Sequence, residues 1–272
     1  MTSRNKSSCI TKRRSNRQKV RQMEKKSKDP AYLMATFSSA AYREADGASR
    51  VFEKYGYPNH RFIEKDGAQC YVVWNDAHAV VVFRGTEPTE LSDIKADLNA
   101  LQSKSFSGKG DVHAGFQGEI NKLWDDLTFT LADLPHRQLK ITGHSLGAAM
   151  ATICASRLVR DFNVDALYTF GSPRVGDRRW VRNLSNIVHY RVVNNNDMVC
   201  KVPFWIMGYR HHGVLCYVNH YGNVRRMTWW QRVKDQWRGR LAAWRNREPF
   251  DGIRDHDINA YARKMKNVVL GD

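Results

Sequence analysis

The sequence predicts an α/β protein with a mainly parallel central sheet flanked by helices. Three observations lead there. Short β-branched runs alternate with amphipathic or Ala-rich stretches along the chain. One run, Leu139 to Thr142, passes through a Gly-His-Ser-Leu-Gly turn into the Ala-rich stretch Leu146 to Phe162. The chain has 272 residues and 42% hydrophobic content, enough to bury a sizeable core.

Taken in order, residues 1–29 are rich in Lys, Arg and Ser without apolar periodicity. They read as a solvated basic tail ahead of a domain over residues 30–272. Pro30 to Arg43 reads as a helix. Phe62 to Glu64, Gln69 to Trp74 and Ala79 to Arg84 read as strands, separated by Asp-Gly and Asn-Asp turns. The apolar spacing over Phe116 to Leu134 is helical. Ala166 to Phe170 and Ile187 to Val193 read as further strands, with Arg178 to Leu184 helical between them. Val214 to Asn219 and Asn223 to Thr228 suggest a late hairpin. No internal repeat interrupts this order.

The net charge of +17 comes from 44 Lys and Arg against 27 Asp and Glu. It is concentrated in residues 1–28 and 225–247, and the rest of the chain balances. In the second segment Trp230, Val233, Trp237, Leu241 and Trp244 share a helical face among arginines. Such a face fits an anionic membrane surface, and it equally fits an amphipathic helix packed on the domain. Gly239 weakens that helix by about 1 kcal/mol. Dense positive charge also raises a nucleic-acid-binding function as an alternative class. The longest apolar stretches fall far short of the roughly 20 residues of a spanning helix, and the N-terminus lacks a signal-peptide apolar region. These features predict a cytoplasmic location, at most peripheral to a membrane. The five cysteines show no Cys-x-x-Cys spacing, which predicts free thiols and no zinc site.

The chemistry centres on Gly143-His-Ser145-Leu-Gly147. The bare pattern arises by chance in roughly one in ten chains of this length, so the flanking strand and helix carry the specificity. A serine on such a strand-to-helix turn is backbone-strained, points its hydroxyl outward at the sheet end and needs small flanking residues. The Leu146 N–H at the helix start can stabilise an oxyanion. A serine nucleophile requires a His to take its proton and a carboxylate to orient that His. In this architecture the chain order is Ser, acid, His. Asp197, where a β-branched strand runs into an Asn-rich turn, is one candidate acid, and Asp177 is its competitor as either acid or helix cap. Behind them stand His211, His212, His220 and His256. His256 lies on a loop before a final helix, from which an imidazole can reach over the sheet edge. His144, beside the serine, reads as a packing or hydrogen-bonding neighbour.

These residues resemble the class 3 lipases, an alpha/beta-hydrolase family. The resemblance runs from about Ala41 to Met265. It is carried by Val80-Val-Val-Phe-Arg-Gly-Thr86, Val112-His-Ala-Gly-Phe116, Thr142-Gly-His-Ser-Leu-Gly147, Phe170-Gly-Ser-Pro-Arg-Val-Gly-Asp177, Arg191-Val-Val-Asn-Asn-Asn-Asp197, and Asp255-His256 with Tyr261. It implies a Ser145, Asp197, His256 triad, a backbone oxyanion hole at Thr86 and Leu146, and a structural role for Asp177. It also implies hydrolysis of carboxylic ester bonds in lipids, as a triacylglycerol lipase or, at anionic membranes, a phospholipase A1-type enzyme, without metal or cofactor. A short lid carrying Leu91, Ile94, Leu98 and Leu101 is a further expectation. The sequence defines no oligomeric state.

Overall fold

The computed structural model describes residues 30–86, 101–134, 137–225, 227–245 and 251–269. The predicted basic tail and all of the predicted lid except Leu101 lie outside the described residues.

The apolar runs assemble into one seven-stranded sheet. Strands β1 (Asn59–Lys65), β2 (Ala68–Trp74) and β3 (His78–Phe83) form an antiparallel start. Asp66 and Gly67, both at positive φ, join β1 to β2 as a two-residue hairpin turn. Strands β6 (Gln138–His144), β7 (Val164–Phe170), β9 (His189–Asn194) and β11 (Val214–Val218) then add in parallel, giving the order β1-β2-β3-β6-β7-β9-β11. Parallel strands covered on both faces should be apolar without alternation. Accordingly, every residue from Ala79 to Phe83 is buried.

Successive side chains of these strands enter two different cores. Val72, Val81 and Phe83 pack with α3 (Ala114–Ala132) and α4 (Leu146–Leu158), among Ile120, Leu123 and Ile153. Tyr71, Val80 and Val82 pack on the other face with α1 (Pro30–Ala40) and the last helix, α8 (Ile258–Val269), among Phe37, Tyr261 and Met265. Helix α4 buries nearly its whole surface, which explains its alanines: small side chains let the helix backbone approach the sheet closely. A hydrogen bond between the hydroxyls of Ser38 and Thr142, 3.0 Å apart and buried, ties α1 to the strand leading into the serine turn.

Several features depart from the sequence reading. The expected late hairpin reduces to one antiparallel bridge, Val218 to Val224, while β11 pairs parallel with β9. Its turn does form, with Gly222 N–H on the Asn219 carbonyl. Tyr217 and the His220 N–H are both bonded to Asp235 of helix α6 (Trp229–Arg245), which ties this turn to that helix. Helix α2 (Ala45–Lys54) and a small antiparallel sheet are additional. That sheet is built from β4 (Gln102–Lys104), β5 (Asp111–His113), β8 (Gly176–Asp177) and β10 (Tyr209–Arg210). Of the two orientations the sequence allows for helix α6, the observed one buries Asp235, Gly239 and Ala243. Its tryptophans face outward: Trp229, Trp230, Trp237 and Trp244 are 59, 68, 62 and 78% exposed. Gly239 therefore sits on the packed face, where its lack of a side chain helps the helix approach the domain.

Candidate active site

Ser145 ends β6 and precedes α4 with φ 57° and ψ −126°, a conformation that costs a non-glycine residue of order 1–3 kcal/mol. The surroundings enforce it. A Cβ on Gly143 would lie 2.3 Å from the Gly147 carbonyl oxygen, and one on Gly147 would lie 2.5 Å from the Phe83 carbonyl oxygen. Helix α4 thus starts against the ends of β3 and β6, and the Ser145 N–H bonds the Phe170 carbonyl at 3.1 Å. Leu146 is the first residue of α4, so its N–H has no intrahelical partner. Leu146 and Thr86 line one cavity of about 230 Å³ together with Arg84, Gly85 and Met150.

Asp197 and His256 meet beside this turn. The chain leaving β9 bends through Asn195, at φ 29°, and Asn194 to Asp197 are all buried. Asp255 clamps this bend: its carboxylate accepts the Asn196 N–H at 2.9 Å and the Asn194 side-chain amide at 3.2 Å. That clamp brings the next residue, His256, onto Asp197, with Nδ1 2.9 and 3.0 Å from the two carboxylate oxygens. Because a carboxylate only accepts, Nδ1 carries the proton, and the lone pair of neutral His256 lies on Nε2. This buried Nε2 has no hydrogen-bond partner among the described residues. Burial alone would raise the Asp197 pKa. The positive charge that His256 carries when protonated, and hydrogen bonds from His256 and Tyr261, outweigh burial and hold it below the ordinary carboxylate value.

Tyr261, on α8, donates to Asp197 at 2.5 Å while its oxygen accepts the Asn194 N–H at 3.0 Å. Tyr261→Phe is expected to destabilise the fold by about 1.5–3 kcal/mol, because it removes a bond to a charged group and strands a buried N–H. Urea unfolding of the purified variant measures this, and an unchanged midpoint would refute it.

His144 packs against His256 with ring centroids 4.4 Å apart. Its Nε2 must donate to the His256 carbonyl, 2.7 Å away, since that oxygen can only accept. Its Nδ1 then accepts from the Tyr42 hydroxyl at 2.8 Å. Burial, followed by the charge of His256, pushes its pKa down to about 3, so it is neutral at ordinary pH with both nitrogens engaged. Asp177 is removed from the site: it caps helix α5 (Arg178–Asn183), accepting the Trp180 N–H at 2.6 Å. Of the other candidate histidines, His211 bonds the Cys200 carbonyl and His212 faces His189.

The sequence reading missed three supporting residues. Tyr42 holds His144 from 102 positions away and carries no local signal. Asp255 is the sequence neighbour of His256, yet its clamp on the Asn-rich bend appears only in three dimensions. Gly171, at φ 60°, is the third. A Cβ there would lie 2.8 Å from an Asp197 oxygen and from the His256 ring, so only glycine fits behind the pair. Among the described residues no group of three His, Cys, Asp or Glu is placed to hold a metal ion, and Cys70, Cys154, Cys200 and Cys216 are free.

Comparison with known proteins agrees with this fold. The family described as Lipase (class 3) matches residues 80–207. A secreted mono- and diacylglycerol lipase 1 of Fusarium solani is 40% identical over 159 residues, covering 54% of this chain and 46% of that protein. A lipase of Rhizomucor miehei is 32% identical over 145 residues, covering 49% and 39%. The toxin TseL of Vibrio cholerae is 32% identical over 182 residues, covering 50% and 28%. The chain therefore spans less than half the length of these three curated relatives. Among solved structures, the Rhizomucor miehei triacylglyceride lipase superposes with a TM-score of 0.60 at 25% identity, covering 74% of this chain and 80% of that one. In the order of its motifs, its parallel sheet and its strained serine turn, this chain is similar to the class 3 lipases, whose family description matches it over residues 80–207.

Proposed function

We propose that this protein is a serine hydrolase that cleaves carboxylic ester bonds of lipids. Ser145 is the nucleophile, His256 the general base and acid, and Asp197 the group that orients His256. The Thr86 and Leu146 N–H groups form the oxyanion hole. The observation that carries the proposal is the His256 imidazole, fixed through Nδ1 on the buried Asp197 with Nε2 unengaged, beside a serine in a strained turn. In the first half-reaction Ser145 Oγ attacks the ester carbonyl carbon as its proton passes to Nε2. The carbonyl oxygen becomes an oxyanion, and each aligned amide is worth about 3–4 kcal/mol there. The intermediate collapses to an acyl-serine while His256 protonates the departing alcohol. Water, deprotonated by His256, then attacks the acyl-serine and releases the fatty acid. No step needs a metal or cofactor.

Lipid esters are favoured as substrates because relatives from two fungi are named for acylglycerols. Fatty-acid release from mono-, di- and triacylglycerol emulsions and from phospholipid vesicles tests this, with a water-soluble butyrate ester as control. Hydrolysis confined to the soluble ester would remove the lipid assignment, and no hydrolysis at all would remove the enzymatic one.

The outward tryptophans of α6 favour a second element, docking to an anionic membrane surface and phospholipase A1-type cleavage there. Arg238, Arg240 and Arg245 are exposed on the same helix, so rings and cations together match a headgroup layer. Replacing Trp230, Trp237 and Trp244 with alanine is expected to weaken co-sedimentation with phosphatidylglycerol vesicles at least about tenfold. Equal binding to neutral vesicles at low salt would exclude the electrostatic part.

A further inference from the structure

A second cavity, of about 220 Å³, opens beneath α6 at the β9–β11 side of the sheet and shares only Asp197 with the proposed hydrolytic machinery. Four cationic side chains line it: Arg174, Arg191 on β9, Lys201, and Arg232 on α6. Among the described residues none of the four is in an ion pair. Both Arg191 and Arg232 have a buried guanidinium Nε–H without an acceptor. Among the described residues the Arg174 side chain donates, through Nη1, to the carbonyls of Lys201 and Pro203 and to no carboxylate.

Nearby acids offset this cluster only in part, Asp197 and Asp255 acting on Lys201. Asp197 also lines the cavity, but its oxygens are taken by His256, Tyr261 and the Val199 N–H. The Asp235 carboxylate accepts from Tyr217 and the His220 N–H. The field is felt by the neighbours. Burial, reinforced by Arg191 and Arg174, holds neutral His211 well below its ordinary pKa, and burial together with Arg174 and Arg232 pushes Arg191 itself down. Charge drawn partly out of water without a partner opposes folding, so a fold that gathers four half-buried cations around one cavity is arranged for an anion. Guanidinium forks present paired N–H donors that suit tetrahedral oxyanions, and a lysine adds a point charge.

We propose that this cavity is a binding site for a phosphate group, held by Arg174, Arg191, Lys201 and Arg232. A phosphate here lies under the helix whose tryptophans face outward, with Trp229 at the cavity rim. The phosphate can come from a glycerophospholipid headgroup or from a soluble phosphate, and the chemistry of recognition is shared. The site does not depend on the hydrolase assignment, because binding needs neither Ser145 nor His256.

The test uses the full chain carrying Ser145→Ala, so that binding is read without turnover. Inorganic phosphate and, separately, short-chain phosphatidylglycerol micelles are titrated at constant ionic strength, with chloride and a neutral detergent as controls. Unfolding temperature and intrinsic tryptophan fluorescence are the readouts. Saturable binding of either probe is expected, weakened at least about tenfold by Arg191→Met and by Arg232→Gln. Without ligand, Arg191→Met should be as stable as the parent or more so, because it removes an unpaired half-buried charge. A purely structural arginine would give the opposite sign. Binding of inorganic phosphate identifies a soluble-phosphate site, and binding of phosphatidylglycerol alone identifies a headgroup site. The proposal is overturned if neither probe binds, if binding survives both substitutions, or if Arg191→Met destabilises the free protein while leaving binding intact.

Discussion

Ser145→Ala is expected to lower ester hydrolysis by roughly 10⁵- to 10⁶-fold while leaving the fold intact. His256→Ala should cost about as much, and the double variant no more than either single one. In the proposed mechanism the two groups act as one unit: without the hydroxyl there is no attacking oxygen, and without Nε2 there is no acceptor for its proton. Alanine adds no atom at a crowded position and inherits the backbone conformation that the close packing of Gly143 and Gly147 already imposes. Asp197→Asn should cost about 10⁴-fold by another route. An amide donor facing Nδ1 favours the tautomer with the proton on Nε2, the nitrogen that must accept. Initial rates on a soluble ester, with circular dichroism to verify folding, measure all four variants. Additive losses in the double variant would contradict a concerted unit.

Acidification from pH 7 to pH 5 is expected to destabilise the fold steeply through its buried histidines. His144 has a folded-state pKa of about 3 against 6.5 in the unfolded chain. Between those values the unfolded state binds more protons, so its contribution is present above pH 6.5 and falls as pH drops toward 3. For His144 alone the loss reaches about 2 kcal/mol at pH 5, a sizeable share of the 5–15 kcal/mol that holds a domain together. His189 and His211, both buried and well below their ordinary pKa, act in the same direction. Asp197 adds a loss at lower pH, as the solution falls through its depressed carboxylate value. Urea midpoints measured from pH 4 to 7 should therefore fall with acid. In His144→Gln the slope of stability against pH should shrink by up to about 1.4 kcal/mol per pH unit. An unchanged slope would mean that His144 titrates normally.

The central parallel strands were legible because they are buried on both faces, which forces β-branched runs such as Val80-Val-Val-Phe83. The serine turn was legible because close approach at Gly143 and Gly147 excludes any side chain. Asp197 and His256 could be narrowed by chain order, though choosing among the remaining candidates required the family resemblance. Local pattern carried no information about the supporting groups: the requirement for Gly171, the clamp by Asp255 and the bond from Tyr42 all depend on residues far away in sequence. The small second sheet was hidden for a different reason, since strands of two or three residues show no period. The orientation of α6 was ambiguous in the sequence. Its apolar periodicity allowed a tryptophan face packed inward, whereas the helix buries Asp235, Gly239 and Ala243 because Asp235 has two donors waiting beneath it.

The most direct test of the proposed chemistry is covalent trapping with diethyl p-nitrophenyl phosphate, a reagent that phosphorylates an activated serine and stops there. After incubation, intact-mass and peptide spectra should show one diethylphosphoryl group, located on Ser145, with labelling abolished in Ser145→Ala and His256→Ala. A protein that hydrolyses lipid esters yet takes up no label, or takes it up at another residue, would contradict the assignment of Ser145 as the nucleophile.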